Sequence, residues 1–174
     1  MRAVLSVKYE PQYMALKPLQ LQPDSVLVYG EPSRLENVSA VATKPLDLDN
    51  LRSSVHGKVR LETPSGVRLS HDECVYSLEV SRFVELRSEV RIETRNVPSW
   101  VNLAVLPSTA TVVFRCVFPT ATDPFSQAKF YIDYQDFAGS LSGRCVAHCE
   151  NLPANVIDYT ISPEVFDCLV KTTE

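Results

Sequence analysis

The residues best equipped for chemistry are five cysteines, three histidines and a set of scattered aspartates, and their spacing limits what they could do. Cys145-Val146-Ala147-His148-Cys149 is the one stretch that hints at metal binding. A zinc site needs about four ligands converging at ~2.0–2.3 Å. If residues 144–150 form a strand, Cys145 and Cys149 share one face and His148 points to the other. No second Cys/His cluster completes a ligand set, so the thiols read as small buried hydrophobes. No metal is expected. The same geometry excludes a disulfide between them, because four strand residues span roughly 13 Å and a disulfide needs Cα atoms within ~7 Å. All five thiols, Cys74, Cys116, Cys145, Cys149 and Cys168, are expected to be buried.

The carboxylates suggest acid–base or calcium chemistry only at first sight. Asp133 and Asp136, and Asp47 and Asp49 earlier in the chain, lack the Gly-containing loop and the six or more oxygens that calcium requires. Asp133 alternates with Ile132 and Tyr134, the pattern of a strand with one wet face. His56, His71 and His148 lie in separate segments. Neither a Gly-x-Ser-x-Gly elbow, nor a phosphate-cradling glycine loop, nor a His-Glu-x-x-His helix is present. No catalytic residue and no cofactor are expected. Trp100, Tyr134 and Phe137 are the candidates for contact with a partner, since aromatics are enriched at binding hot spots; core packing is the competing reading for each.

The elements that carry these residues read as strands. Val-rich runs are short, alternate in polarity and are bounded by Pro, Asn, Asp and Ser, so the fold class is all-β with short helical turns. Ser33-Arg34-Leu35-Glu36 resembles a capping box opening a short helix through about Val38. Asp123-Pro124 gives a second helical start, with Asp as cap.

These segments also recur. Pro23-Asp24-Ser25-Val26-Leu27-Val28-Tyr29 resembles Pro107-Ser108-Thr109-Ala110-Thr111-Val112-Val113, and Leu46-Asp47-Leu48-Asp49 resembles Phe130-Tyr131-Ile132-Asp133. An opening strand (Val4–Tyr9, then Val90–Glu93), a middle strand (Lys58–Glu62, then Arg144–Glu150) and an exit strand (Cys74–Val80, then Val165–Val170) complete each copy. Two tandem domains follow, 1–86 and 87–174, each with twisted antiparallel or mixed sheets and joined without a flexible linker.

Charge is uneven along the chain. Residues 1–87 carry 11 Lys/Arg and 11 Asp/Glu, while residues 88–174 carry 6 and 10, so residues 88–174 hold the whole net charge of −4. Neither supplies the basic face that would release counterions from nucleic acid. No run approaches the ~18–20 apolar residues of a membrane span. Because the chain begins almost inside a strand, a preceding segment is expected upstream.

The order and spacing of these landmarks resemble tandem YbbR-like domains of the Bacteroidetes type. The first copy carries the resemblance in Pro23–Gly30, Leu35-Glu36-Asn37-Val38, Val41-Ala42-Thr43 and Val75–Val80. The second carries it in Asn96-Val97-Pro98, Leu106-Pro107-Ser108, Phe130–Tyr134, Leu152-Pro153 and Pro163-Glu164-Val165. The resemblance implies small β modules repeated on the outer, periplasmic side of a membrane behind an amino-terminal anchor. It implies a protein partner, of which a membrane diadenylate cyclase is the family's best-understood example, and no catalysis. The expected function is a non-enzymatic interaction module; the alternative is a structural spacer of the cell envelope.

Overall fold

The computed structural model describes residues 1–171. They divide into two compact units, Met1–Arg82 and the chain from Phe83 onward. Strands dominate both, and the protein is all-β.

The first unit runs β1 (Leu5–Tyr9), β2 (Tyr13–Ala15), β3 (Gln20–Gln22), β4 (Val28–Gly30), α1 (Pro32–Leu35), β5 (Leu46–Leu51), β6 (Val55–Arg60), β7 (Val67–Leu69) and β8 (Glu73–Leu78). Strand β1 lies parallel to β5, β3-β8-β6 form an antiparallel sheet, and β4 pairs antiparallel with β7. Within β8 the residues alternate, with Cys74 and Leu78 buried while Val75 is exposed. Val41, Val59, Leu61, Leu69 and Cys74 form the core, against which Val26 and Val28 pack. Thr43, 1% exposed, accepts the Val4 N–H on its hydroxyl at 3.0 Å, so its one buried polar group is satisfied.

A 16-residue strand, β9 (Val80–Arg95), contributes its first three residues to the first unit, where they pair with β2, and the rest to the second. The second unit continues with β10 (Leu103–Leu106), β11 (Thr109–Val117), a 3₁₀ turn (Pro124–Ser126), β12 (Lys129–Asp133), α2 (Tyr134–Gly139), β13 (Arg144–Val146), β14 (His148–Glu150), β15 (Val156–Ser162) and β16 (Val165–Val170). Strand β9 lies parallel to β12 and antiparallel to β11, β10-β16-β13 form an antiparallel sheet, and β11 pairs antiparallel with β15. The same three pairings therefore occur in both units. In each, the strand before the three-stranded sheet's loop ends at a cis X-Pro bond, Gln22–Pro23 or Leu106–Pro107.

The core of the second unit is built on β11, where Ala110, Val112, Phe114 and Cys116 are all buried and their neighbours are half-exposed. Phe130, Ile132 and Phe166 join them from β12 and β16. That alternation follows from the two-residue period of a strand.

Three expectations are corrected. The opening strand expected at Val90–Glu93 is one part of β9, whose register with β11 begins at Phe83. The strand expected over Arg144–Glu150 is two strands in two different sheets, β13 and β14, separated at buried Ala147. Ser33 is not a cap: Pro32, with its preset φ, takes the first helical position, Glu31 becomes the N-cap without a side-chain bond, and the helix stops at Leu35. The second helical start stands, with the Asp123 carboxylate accepting the Phe125 N–H at 3.0 Å.

Candidate interaction surface of the second unit

Residues of β9, β12 and β14 that face outward form a continuous polar ladder. Tyr131 lies between Glu93 on one side and His148 on the other. The Arg95 guanidinium sits 4.0 Å from the Tyr131 ring centroid and reaches Glu150 at 2.5 Å. His148 packs its ring 5.4 Å from Tyr131 and meets the Asp136 carboxylate through Nε2 at 2.5 Å.

The ladder ends where β9 and β12 end together, at the paired Arg95 and Asp133. There Asp133 caps α2 by accepting the Gln135 N–H at 2.9 Å, and its other oxygen accepts the Asn96 amide at 2.7 Å. These two bonds, backbone first, hold the Asp133 carboxyl below the usual aspartate range. Asp133 is thus a structural carboxylate that ties the β9 exit to the helix start.

Beyond Asn96 the chain makes the loop that carries Trp100, which is 85% exposed. Beyond α2 it makes the loop that carries Leu141, fully exposed. Register places both loops at one end of the β10-β16-β13 sheet. Lys171 N–H bonds to Asn102 next to the Trp100 loop, and Cys168 N–H bonds to Gly143 next to the Leu141 loop. Tyr134 and Phe137 lie on α2, with ring centroids 5.9 Å apart. Phe137 also packs on the core. The three aromatics singled out from sequence therefore come to the same end of the unit in different states: Trp100 exposed, Tyr134 and Phe137 half-buried. Leu141 carried no signal in the sequence, because a lone leucine between Ser140 and Ser142 has no periodicity to place it.

The thiols face inward. Cys145 and Cys149 both point to the same core although they belong to different sheets. His148 faces outward into the ladder. Burial raises the thiol pKa of Cys74, Cys116 and Cys149, and burial with the neighbouring Cys145 pushes Cys168 up to about 12. Cys149, expected to be buried, is half-exposed because β14 is an edge strand. The thiolate is the reactive form, so at neutral pH at most one thiol, that of Cys149, should react with a disulfide reagent within minutes, and five after denaturation. Prompt reaction of two or more in the folded protein would contradict this core.

Two open grooves lie in corresponding places, about 870 Å³ beside β3 and about 720 Å³ beside β10. The first is lined by a single carboxylate, Asp24; the second has Arg91, Glu93 and Lys171 at its rim. Among the described residues, no three His, Cys, Asp or Glu side chains converge as metal ligands. No helix among them is long and apolar enough to cross a membrane.

Compared with known proteins, residues 3–71 match the family model described as YbbR-like protein. Neither the curated proteins nor the solved structures yield a match.

Proposed function

We propose, from the premise that this chain carries a YbbR-like domain over residues 3–71, that it is a non-enzymatic protein-interaction module. In this reading the second unit is a second YbbR-like copy, supported by the three strand pairings that recur in both units. It acts on the outer, periplasmic side of a membrane, held there by an anchor upstream, and its partner is a membrane protein of the diadenylate cyclase class. Location and partner rest on the family resemblance alone.

One observation carries the interaction role. Trp100, the chain's single tryptophan, is 85% exposed, and Leu141, in the other loop at that end of the sheet, is fully exposed. An indole left in water contributes little to folding, whereas buried in an interface it is among the strongest anchors.

The test is pull-down and calorimetry of the 174-residue chain against the cyclase of its own source, with Trp100→Ala and Leu141→Ser. Wild type should bind, and Trp100→Ala should weaken binding by about 10-fold or more while the melting temperature stays constant. Binding unaffected by both substitutions would move the contact elsewhere. No binding at high micromolar concentration would favour the spacer.

A further inference from the structure

The three-stranded sheets of the two units have the same order and the same antiparallel pairing, so their outward faces can be compared row by row. In the first unit the face of β3-β8-β6 is polar. Gln22, Val75 and Lys58 form one row, Gln20, Ser77 and His56 the next, and Glu73 with Arg60 the third. Lys58 reaches across to Glu73 at 2.6 Å.

In the second unit most of the corresponding positions on β10-β16-β13 are apolar; the exceptions are Asp167, where Val75 stands, and Arg144, where Lys58 does. Leu106 stands where Gln22 does, Ala104 and Leu169 where Gln20 and Ser77 do, and Val165 and Val146 where Glu73 and Arg60 do. Val146 is 59% exposed, Leu106 51%, Val165 47% and Leu169 42%. The inner side of this sheet is already filled by Val105, Cys145, Phe166 and Cys168. Folding does not require so many outer apolar residues, since the first unit builds the same sheet with Val75 as the one large apolar residue in these rows. Exposed apolar side chains gathered on one face are the kind of surface that meets a partner.

One charged pair lies within it. Arg144 and Asp167 are neighbours in the row with Leu106 and touch at 3.4 Å, both about two-thirds exposed. A purely apolar partner would cover these two charges and offer them nothing, which is costly. A second copy of the same face, turned about a two-fold axis, sets its own Asp167 against Arg144 and its Arg144 against Asp167. A face that carries both signs side by side is self-complementary, as a two-fold interface requires.

We infer that the outward face of β10-β16-β13 is a homodimer contact, in which Leu106, Val146, Val165 and Leu169 pack against their counterparts around an alternating Arg144–Asp167 set. This surface lies on the strands of the sheet, whereas Trp100 lies in the loop that precedes β10. The apolar area falls short of the roughly 800 Å² per partner of a durable interface. The dimer should therefore be weak, with a Kd on the order of 10–100 µM.

Sedimentation equilibrium of the 174-residue chain from micromolar to millimolar concentration tests this. Wild type should show a monomer–dimer equilibrium. Val146→Lys and Val165→Lys should each raise Kd at least about 10-fold, while Val75→Lys, on the polar face of the first unit, should leave it unchanged. Arg144→Asp and Asp167→Arg alone should each be monomeric, yet an equimolar mixture of the two should form a heterodimer, since one face is then all acidic and the other all basic. The mixture separates a contact between chains from the pair within one chain. Circular dichroism verifies that each variant is folded; should one valine variant fail to fold, the charge mixture still decides. A wild-type monomer up to millimolar concentration, a dimer indifferent to both valine substitutions, or a mixture that stays monomeric would overturn the proposal. So would loss of the dimer in Trp100→Ala, which would place self-association at the loop end.

Discussion

Truncating Phe114 to Ala should destabilise the second unit by about 3–5 kcal/mol, the usual range for a large aromatic removed from a tight core. Phe114 has no solvent exposure. Its ring meets three others, with centroids at 4.8 Å for Phe125, 5.9 Å for Tyr159 and 6.1 Å for Phe130. These partners come from the 3₁₀ turn, β15 and β12, so the cavity would open where three elements converge. Phe114 also sits on β11, which is bonded on both sides, to β9 through Leu86 and to β15 through Tyr159. A strand paired on both edges cannot shift to fill the gap without breaking two ladders. Small domains have only about 5–15 kcal/mol in hand, so this single change removes a large fraction. Urea unfolding followed by far-ultraviolet dichroism measures it, since the exposed Trp100 is a poor reporter of the core. Leu141→Ala is the matched control and should change stability by less than about 0.5 kcal/mol. A loss below about 1 kcal/mol for Phe114→Ala would mean that the packing described around β11 is wrong.

Replacing Gly143 with Ala should cost the second unit at least about 2 kcal/mol, for two reasons that add. Gly143 has φ of +70°, in the left-handed region where an L side chain loses about 1–2 kcal/mol. Its Cβ would then stand 2.8 Å from the Cys168 carbonyl oxygen. That oxygen belongs to the backbone of β16, and the Gly143 carbonyl already accepts the Cys168 N–H at 2.7 Å. Neither side can move without giving up the bond. Gly139 is the contrast: it lies at the end of α2 with open space where a Cβ would go. Gly139→Ala should be neutral or stabilising by up to about 1 kcal/mol. Thermal melts of the two alanine variants compare them directly. Equal melting temperatures would show that the turn before β13 does not have the described backbone.

The alternation of β11 and β8 could be read directly, because a period of two is a property of the extended chain itself. Buried Val112, Phe114 and Cys116, and buried Cys74 and Leu78, follow from it. Asp123 and Asp133 act as caps through bonds to residues two positions ahead, a distance local sequence controls. Strand ends were harder. Residues 144–150 keep Cys145, Ala147 and Cys149 at alternate positions throughout, yet the chain leaves one sheet and joins another at Ala147. Nothing local marks that switch; it is set by Phe166 opposite Cys145 and Phe130 opposite Cys149.

Sequence alone determined the strand-rich class and the inward positions on strands whose two sides differ in polarity. Only the tertiary structure decided the surfaces. Trp100 has the composition of a core residue and lies in water because its loop ends beyond the last paired residues of β9. Where both sides of a strand are apolar, as with Cys145 and Val146 or Val165 and Phe166, alternation cannot say which side is inside. Leu106, Val146 and Val165 come from segments far apart in the chain, and strand pairing alone makes them one face. Pairing is non-local, and so is the surface it creates.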